Sequence, residues 1–150
     1  SSLHDTMQQS HDGRTVNLRV LVSDLCDLMA RALTEHIRFA VDVPEIEVTA
    51  RVATSLAVIV NEFASNALKH AFAEGQSGTI SYTCTRGTDG MVTFTCADNG
   101  RGLTGRPDAP KGGMGHVAMQ ASASQIGATL TVATPPAGYA ITLEFDPSAG

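Results

Sequence analysis

The chain has 150 residues, 43% of them hydrophobic, enough for one domain with a sizeable core. No apolar run approaches the roughly 20 residues that span a bilayer, and the opening SSLHDTMQQSHDG has neither the basic start nor the apolar stretch of a signal peptide. A formal net charge of -5, with Lys and Arg dispersed, argues against a nucleic-acid groove but leaves room for a small anion at a local positive site. The expectation is a cytoplasmic chain that makes no direct membrane contact and binds no nucleic acid.

In chain order, residues 1 to 14 are polar and read as a loose arm or the end of a preceding segment, with the main domain over 15 to 150. Val16 begins a short strand, and Asn17 can cap a helix whose Leu18, Leu21, Val22, Leu25, Leu28, Met29 and Ala32 share one face. Ile37 to Val43 and Ile46 to Val52 alternate as two strands joined at Pro44 and Glu45. A second helix is predicted from about Thr54 to Phe72. Thr79 to Arg86 and Met91 to Ala97 form a hairpin over Gly87, Thr88, Asp89 and Gly90. A third helix, about Gly115 to Ile126, ends at Gly127, and strands Thr129 to Thr134 and Tyr139 to Phe145 close the chain. The layout is an α/β (α+β) two-layer sandwich, a mixed, mostly antiparallel sheet covered on one face by three helices. Cys26, Cys84 and Cys96 lack zinc or disulfide spacing and read as reduced core residues.

Three stretches carry chemistry. In VTFTCADNGRGL, the inward row Val92, Phe94, Cys96 ends at Asp98, a carboxylate that is costly to bury without a partner. Asn99, Gly100, Arg101 and Gly102 follow as a loop built for close backbone approach. In SLAVIVNEFASNALKHAF, Leu56, Ile59, Val60, Phe63 and Ala67 form an apolar arc at about 100° per residue. Glu62, Asn66, Lys69 and His70 form a polar stripe roughly 90° away. Such a stripe is either an exposed edge or a cleft wall; as a wall it offers an amide and a carboxylate for hydrated Mg²⁺ and a lysine for phosphate. In KGGMGHVAMQASASQIG, Gly112, Gly113 and Gly115 lead into a helix start that favours anions. The same glycines also suit a merely flexible loop. Pro107, Pro110 and Lys111 make residues 103 to 111 a candidate lid with a positive charge at its base.

Taken together, NEFASNALKHAF, DNGRGL and GGMGHVAMQ resemble the N, G1 and G2 boxes of the Bergerat-fold (GHKL) ATPases, the superfamily of gyrase, Hsp90, MutL and histidine kinases. The NALKHAF ending and the SQIGATLTV continuation look like the ATP-binding domain of bacterial sensor histidine kinases, close to the HWE subclass. With no tryptophan in the chain there is no Trp-x-Glu signature, which places it in a sister group. The resemblance runs from about Val16 to Phe145. It implies that Asp98 accepts a hydrogen bond from the adenine amino group and that Gly100 and Gly102 let the base lie against the backbone. It also implies that Asn66 ligates Mg²⁺, that Lys69 and His70 sit near the phosphates, with Lys111 beside them, and that Gly113 and Gly115 open the phosphate-binding helix. Glu62 matches the water-activating glutamate of the hydrolytic branches and is the catalytic candidate.

Departures from the family pattern bear on nucleotide affinity: Tyr139 and Ala140 follow Gly138 where a threonine is usual, and His116 stands where a hydrophobic residue is usual. Gly127-Ala128 also replaces a frequent Gly-Gly. The implied cofactors are ATP and Mg²⁺. The implied partners are ATP or ADP, the protein's own histidine-containing dimerisation domain and a response regulator. His4 lacks the surroundings of an acceptor histidine and reads as the end of a dimerisation helix. A serine kinase of the anti-sigma-factor type and a degenerate phosphotransferase lobe that binds no nucleotide share the fold and remain as alternatives.

Overall fold

The computed structural model describes residues 15–32, 36–72, 75–100, 114–133 and 138–149. Strand β1 (Val16–Asn17) leads directly into α1 (Leu18–Ala30), whose first turn is capped by Asn17: its side-chain oxygen accepts from the Val20 N–H at 3.2 Å. There follow β2 (Ile37–Asp42), β3 (Glu47–Val48) and the long helix α2 (Ala50–His70). The hairpin β4 (Gly78–Arg86) and β5 (Val92–Asp98), helix α3 (Met114–Gln125), β6 (Leu130–Ala133) and β7 (Tyr139–Phe145) complete the order.

Five strands form one sheet in the order β2-β4-β5-β7-β6, with β2 parallel to β4 and every other pair antiparallel. The predicted period-two rows set its faces. Ile80, Tyr82, Cys84, Val92, Phe94, Cys96, Ile141, Leu143 and Phe145 are buried against Leu21 and Val22 of α1, Leu56, Ile59, Val60 and Phe63 of α2, and Met119 and Ala123 of α3. Tyr82 satisfies its hydroxyl inside this layer by donating to the Val60 carbonyl at 2.7 Å. On the other face, Thr83, Thr95, Thr142 and Thr131 stand in one cross-strand row, with the Thr95 and Thr142 hydroxyls hydrogen-bonded at 3.1 Å. The three cysteines are free and buried.

Two expectations need correction. The stretch Ile46 to Val52 is not a second long strand hairpinned to β2. Only Glu47–Val48 is extended, and it pairs with β1 (Val16 with Val48). Thr49 then caps α2, which starts at Ala50 rather than Thr54 and ends at His70 rather than Phe72. Val52 and Ala53 belong to the helical row that continues to Leu56, Ile59 and Val60, so a helix buries more of this segment than a strand would. In α1, Leu28 is 46% exposed while Cys26 is buried, and Ala32 lies past the helix end and is exposed. Leu28 stands one heptad after buried Leu21, near the C-terminal end of the helix, and angular position alone does not account for its exposure.

Candidate functional site

The site grows from the point where β5 stops. Asp98 is the last residue of the strand, in register with Ile80 on β4 and Tyr139 on β7, and only 4% exposed. Its Oδ1 accepts the N–H of Gly100 at 2.9 Å. A carboxylate has about four acceptor positions, so this bond orients the group without exhausting it. Two glycines hold the surrounding backbone close. A Cβ on Gly100 would stand 2.3 Å from the Ala71 carbonyl oxygen, just past the end of α2. Gly138 has φ +91°, and a Cβ there would stand 1.8 Å from the Asp98 carbonyl oxygen. The end of α2, the turn after β5 and the entry to β7 therefore meet around Asp98.

Tyr139, the residue where a threonine is usual, does not fill this space with an exposed ring. It is 4% exposed, and its ring lies parallel to Phe63 of α2, centroids 6.1 Å apart and planes 9° apart. The departure is absorbed by core packing beneath Asp98.

The predicted stripe on α2 lies where its spacing placed it. Leu56, Ile59, Val60, Phe63 and Ala67 are buried; Glu62, Asn66 and His70 are half-buried, and Lys69 is exposed. Glu62, Asn66 and His70 are spaced four apart and share one ridge. Helix α3 packs along α2, and Arg51 at the start of α2 donates to the Gln125 carbonyl at the end of α3 at 3.2 Å. The two helices thus run antiparallel, which directs the start of α3 toward the polar half of α2. Gly115 lies in the first turn of α3, where backbone N–H groups have no helical partner. The next residue, His116, is half-buried, and its Nδ1 is buried without a hydrogen-bond partner among the described residues. Gly102, Lys111 and Gly113 lie outside the described residues.

The structure thus sets Gly100, and with it the Asp98 carboxylate it binds, against Ala71 at the end of α2. Asn99 and Gly138 belong to the same junction but were not among the expected site residues. The one signal for Gly138 is a glycine immediately before a strand, and for Asn99 its place beside Asp98. Among the described residues no group of three or more His, Cys, Asp or Glu could hold a metal ion.

Comparison with known families matches residues 27–142 to the model described as histidine kinase-like ATPase domain. Among solved structures, the blue-light activated histidine kinase of Erythrobacter litoralis has a TM-score of 0.82 at 22% identity, covering 97% of this chain and 45% of that one. The mycobacterial sensor histidine kinase MprB has a TM-score of 0.71 at 18% identity, covering 91% and 99%. Full-length ShkA in complex with AMPPNP has a TM-score of 0.69 at 25% identity, covering 91% and 31%. Comparison with curated proteins gives no match. The chain spans 45% and 62% of the first two structures it matches.

Proposed function

The chain belongs to the histidine kinase-like ATPase domain family, and we propose that residues 15 to 150 are the ATP-binding catalytic domain of a bacterial two-component sensor histidine kinase, in a sister group of the HWE kinases. In this reading residues 1 to 14 end a preceding dimerisation segment. The γ-phosphoryl group of Mg-ATP passes to a histidine of that neighbouring domain and onward to a response regulator, in the cytoplasm where ATP is available. No described helix is long and apolar enough to cross a membrane.

The observation that carries the reading is the setting of Asp98. It is a buried carboxylate oriented by the Gly100 N–H, with the backbone at Gly100 and Gly138 drawn in where no side chain would fit. Such an acceptor suits a flat base that carries an amino group. Adenine has that donor, and Gly100 and Gly102 let the ring lie against the chain. The phosphate-side roles follow charge. Asn66 gives one oxygen to Mg²⁺, whose contribution when bound is to neutralise phosphate charge. Lys69, His70 and Lys111 offer cationic or donor groups to the phosphates. Gly113 and Gly115 open the start of α3, where N–H groups and the helix dipole favour an anion. Glu62, one turn before Asn66, is the carboxylate assigned to the acceptor's proton.

Phosphoryl transfer depends on an acceptor held in line with the leaving oxygen, and lost positioning costs several orders of magnitude in rate. Residues 1 to 150 alone, His4 included, are therefore expected to take negligible label from ATP. Attached to its own dimerisation domain, the chain is expected to yield acid-labile phosphate. Acid-stable phosphate on serine would identify the anti-sigma-factor type instead, and failure to bind any nucleotide would identify a degenerate lobe.

A further inference from the structure

We propose that Asn99 is a positioning residue for the Asp98 carboxylate and thereby sets the base preference of the site; this rests on the adenine reading above. The β4–β5 ladder runs to Ile80 opposite Asp98. At the next position the Asn99 N–H donates to the Thr79 carbonyl at 3.3 Å. The return bond, which a backbone carbonyl would normally accept, is taken by a side chain: the Thr79 N–H donates to Asn99 Oδ1 at 2.8 Å. The side chain thus closes the ladder while the Asn99 main chain turns away toward α2. That turn is what brings the Gly100 N–H back onto Asp98 Oδ1 and sets Gly100 against Ala71.

The Gly100 N–H holds the carboxylate directly, Gly138 packs against the main-chain carbonyl of Asp98, and Asn99 stands at the root of the turn that presents Gly100. The first two contacts are made by backbone. Asn99 acts through a side chain that is itself exposed, so it can be removed without opening a core cavity. Its hydrogen bond to β4 supplies no contact to the base, so its effect reaches the ligand only through the aim of Asp98. A fixed acceptor rejects a base that presents an oxygen in place of the amino group, because the two acceptors then face each other. A carboxylate free to swing discriminates less.

The test compares ADP with inosine diphosphate by titration calorimetry in the presence of Mg²⁺, on the parent chain, Asn99→Ala and Asn99→Asp. The parent is expected to favour ADP. Asn99→Ala is expected to lower the ADP-to-inosine-diphosphate preference about tenfold, and Asn99→Asp, which keeps an acceptor oxygen within reach of the Thr79 N–H, to return it to within about threefold of the parent. Amide hydrogen exchange of the nucleotide-free chains gives an independent readout: Gly100 should exchange at least about tenfold faster in Asn99→Ala, with Phe94 in mid-strand unchanged. If the parent shows no preference for ADP, the adenine reading falls, and Gly100 exchange alone decides the role of Asn99. Parent-like Gly100 exchange in Asn99→Ala, or a preserved base preference where the parent has one, overturns the proposal.

Discussion

At the scale of single residues, the junction depends on atoms that are missing as much as on those present. Gly138 combines a left-handed φ of +91° with a Cβ position 1.8 Å from the Asp98 carbonyl oxygen. Gly90 in the β4–β5 turn has a similar φ of +84° but open space around it. Alanine at Gly90 meets backbone strain alone, about 1 kcal/mol. Alanine at Gly138 meets the same strain and must also displace the end of β5, so it should cost clearly more, on the order of 2–4 kcal/mol, and abolish nucleotide binding. Urea unfolding of the two variants checks this, and equal midpoints would contradict it. Asp98 was legible in the sequence because its carboxylate interrupts an apolar row. Gly138 and Asn99 were marked only weakly, by a glycine before a strand and by a place beside Asp98, because each acts on main-chain atoms of residues far away in the chain.

The elements show where periodicity decides and where it cannot. The β4–β5 hairpin and the arc and stripe of α2 each obey one period over their whole length, and the structure follows them. Residues 46 to 53 obey two: Ile46, Val48 and Val52 fit alternation, while Val52, Ala53 and Leu56 fit a helix. Thr49 decides between them. Its hydroxyl accepts from the Val52 N–H at 3.3 Å and donates to the Ala149 carbonyl, while its own N–H donates to the Pro147 carbonyl at 3.1 Å. The cap thus fastens the last described turn of the chain to the start of α2. Thr49→Ala should lower stability by about 1–2 kcal/mol, with Thr49→Ser retaining most of it; a Thr49→Ala chain with the parent's urea midpoint would count against this cap. The parallel pairing of β2 with β4 was not legible, since alternation in β2 is compatible with any neighbour and α2 intervenes in the chain.

For the whole molecule, the two-layer arrangement was readable from the faces of its parts, whereas the meeting of α2's end with β5's end was not, being a long-range contact. The shared interior has a consequence for pH. Burial pushes the Cys26 thiol up to about 12 and that of Cys84 up to about 11, the former aided by nearby Asp27; Cys96 is raised well above its ordinary value by burial and by Cys26. In the unfolded chain these thiols ionise near 9, so between about pH 9 and 11 the folded state holds more protons. Their contribution is complete below pH 9 and is lost as pH rises through the folded values. Urea midpoints should therefore fall between pH 9 and 11, less steeply in Cys84→Ala, whereas a flat profile would contradict the buried, protonated state of these thiols.

The central claim is that a buried carboxylate at the end of β5 recognises adenine, and titration calorimetry of Mg-ADP against the parent chain, Asp98→Ala and Asp98→Asn tests it most directly. Removing the acceptor leaves the base without its partner, a loss on the order of 1–3 kcal/mol. The expected result is measurable binding by the parent and affinity weakened about tenfold or more in Asp98→Ala, with an unchanged circular dichroism spectrum showing the fold intact; Asp98→Asn separates the part due to charge. Parent-like affinity in both variants would contradict the assignment.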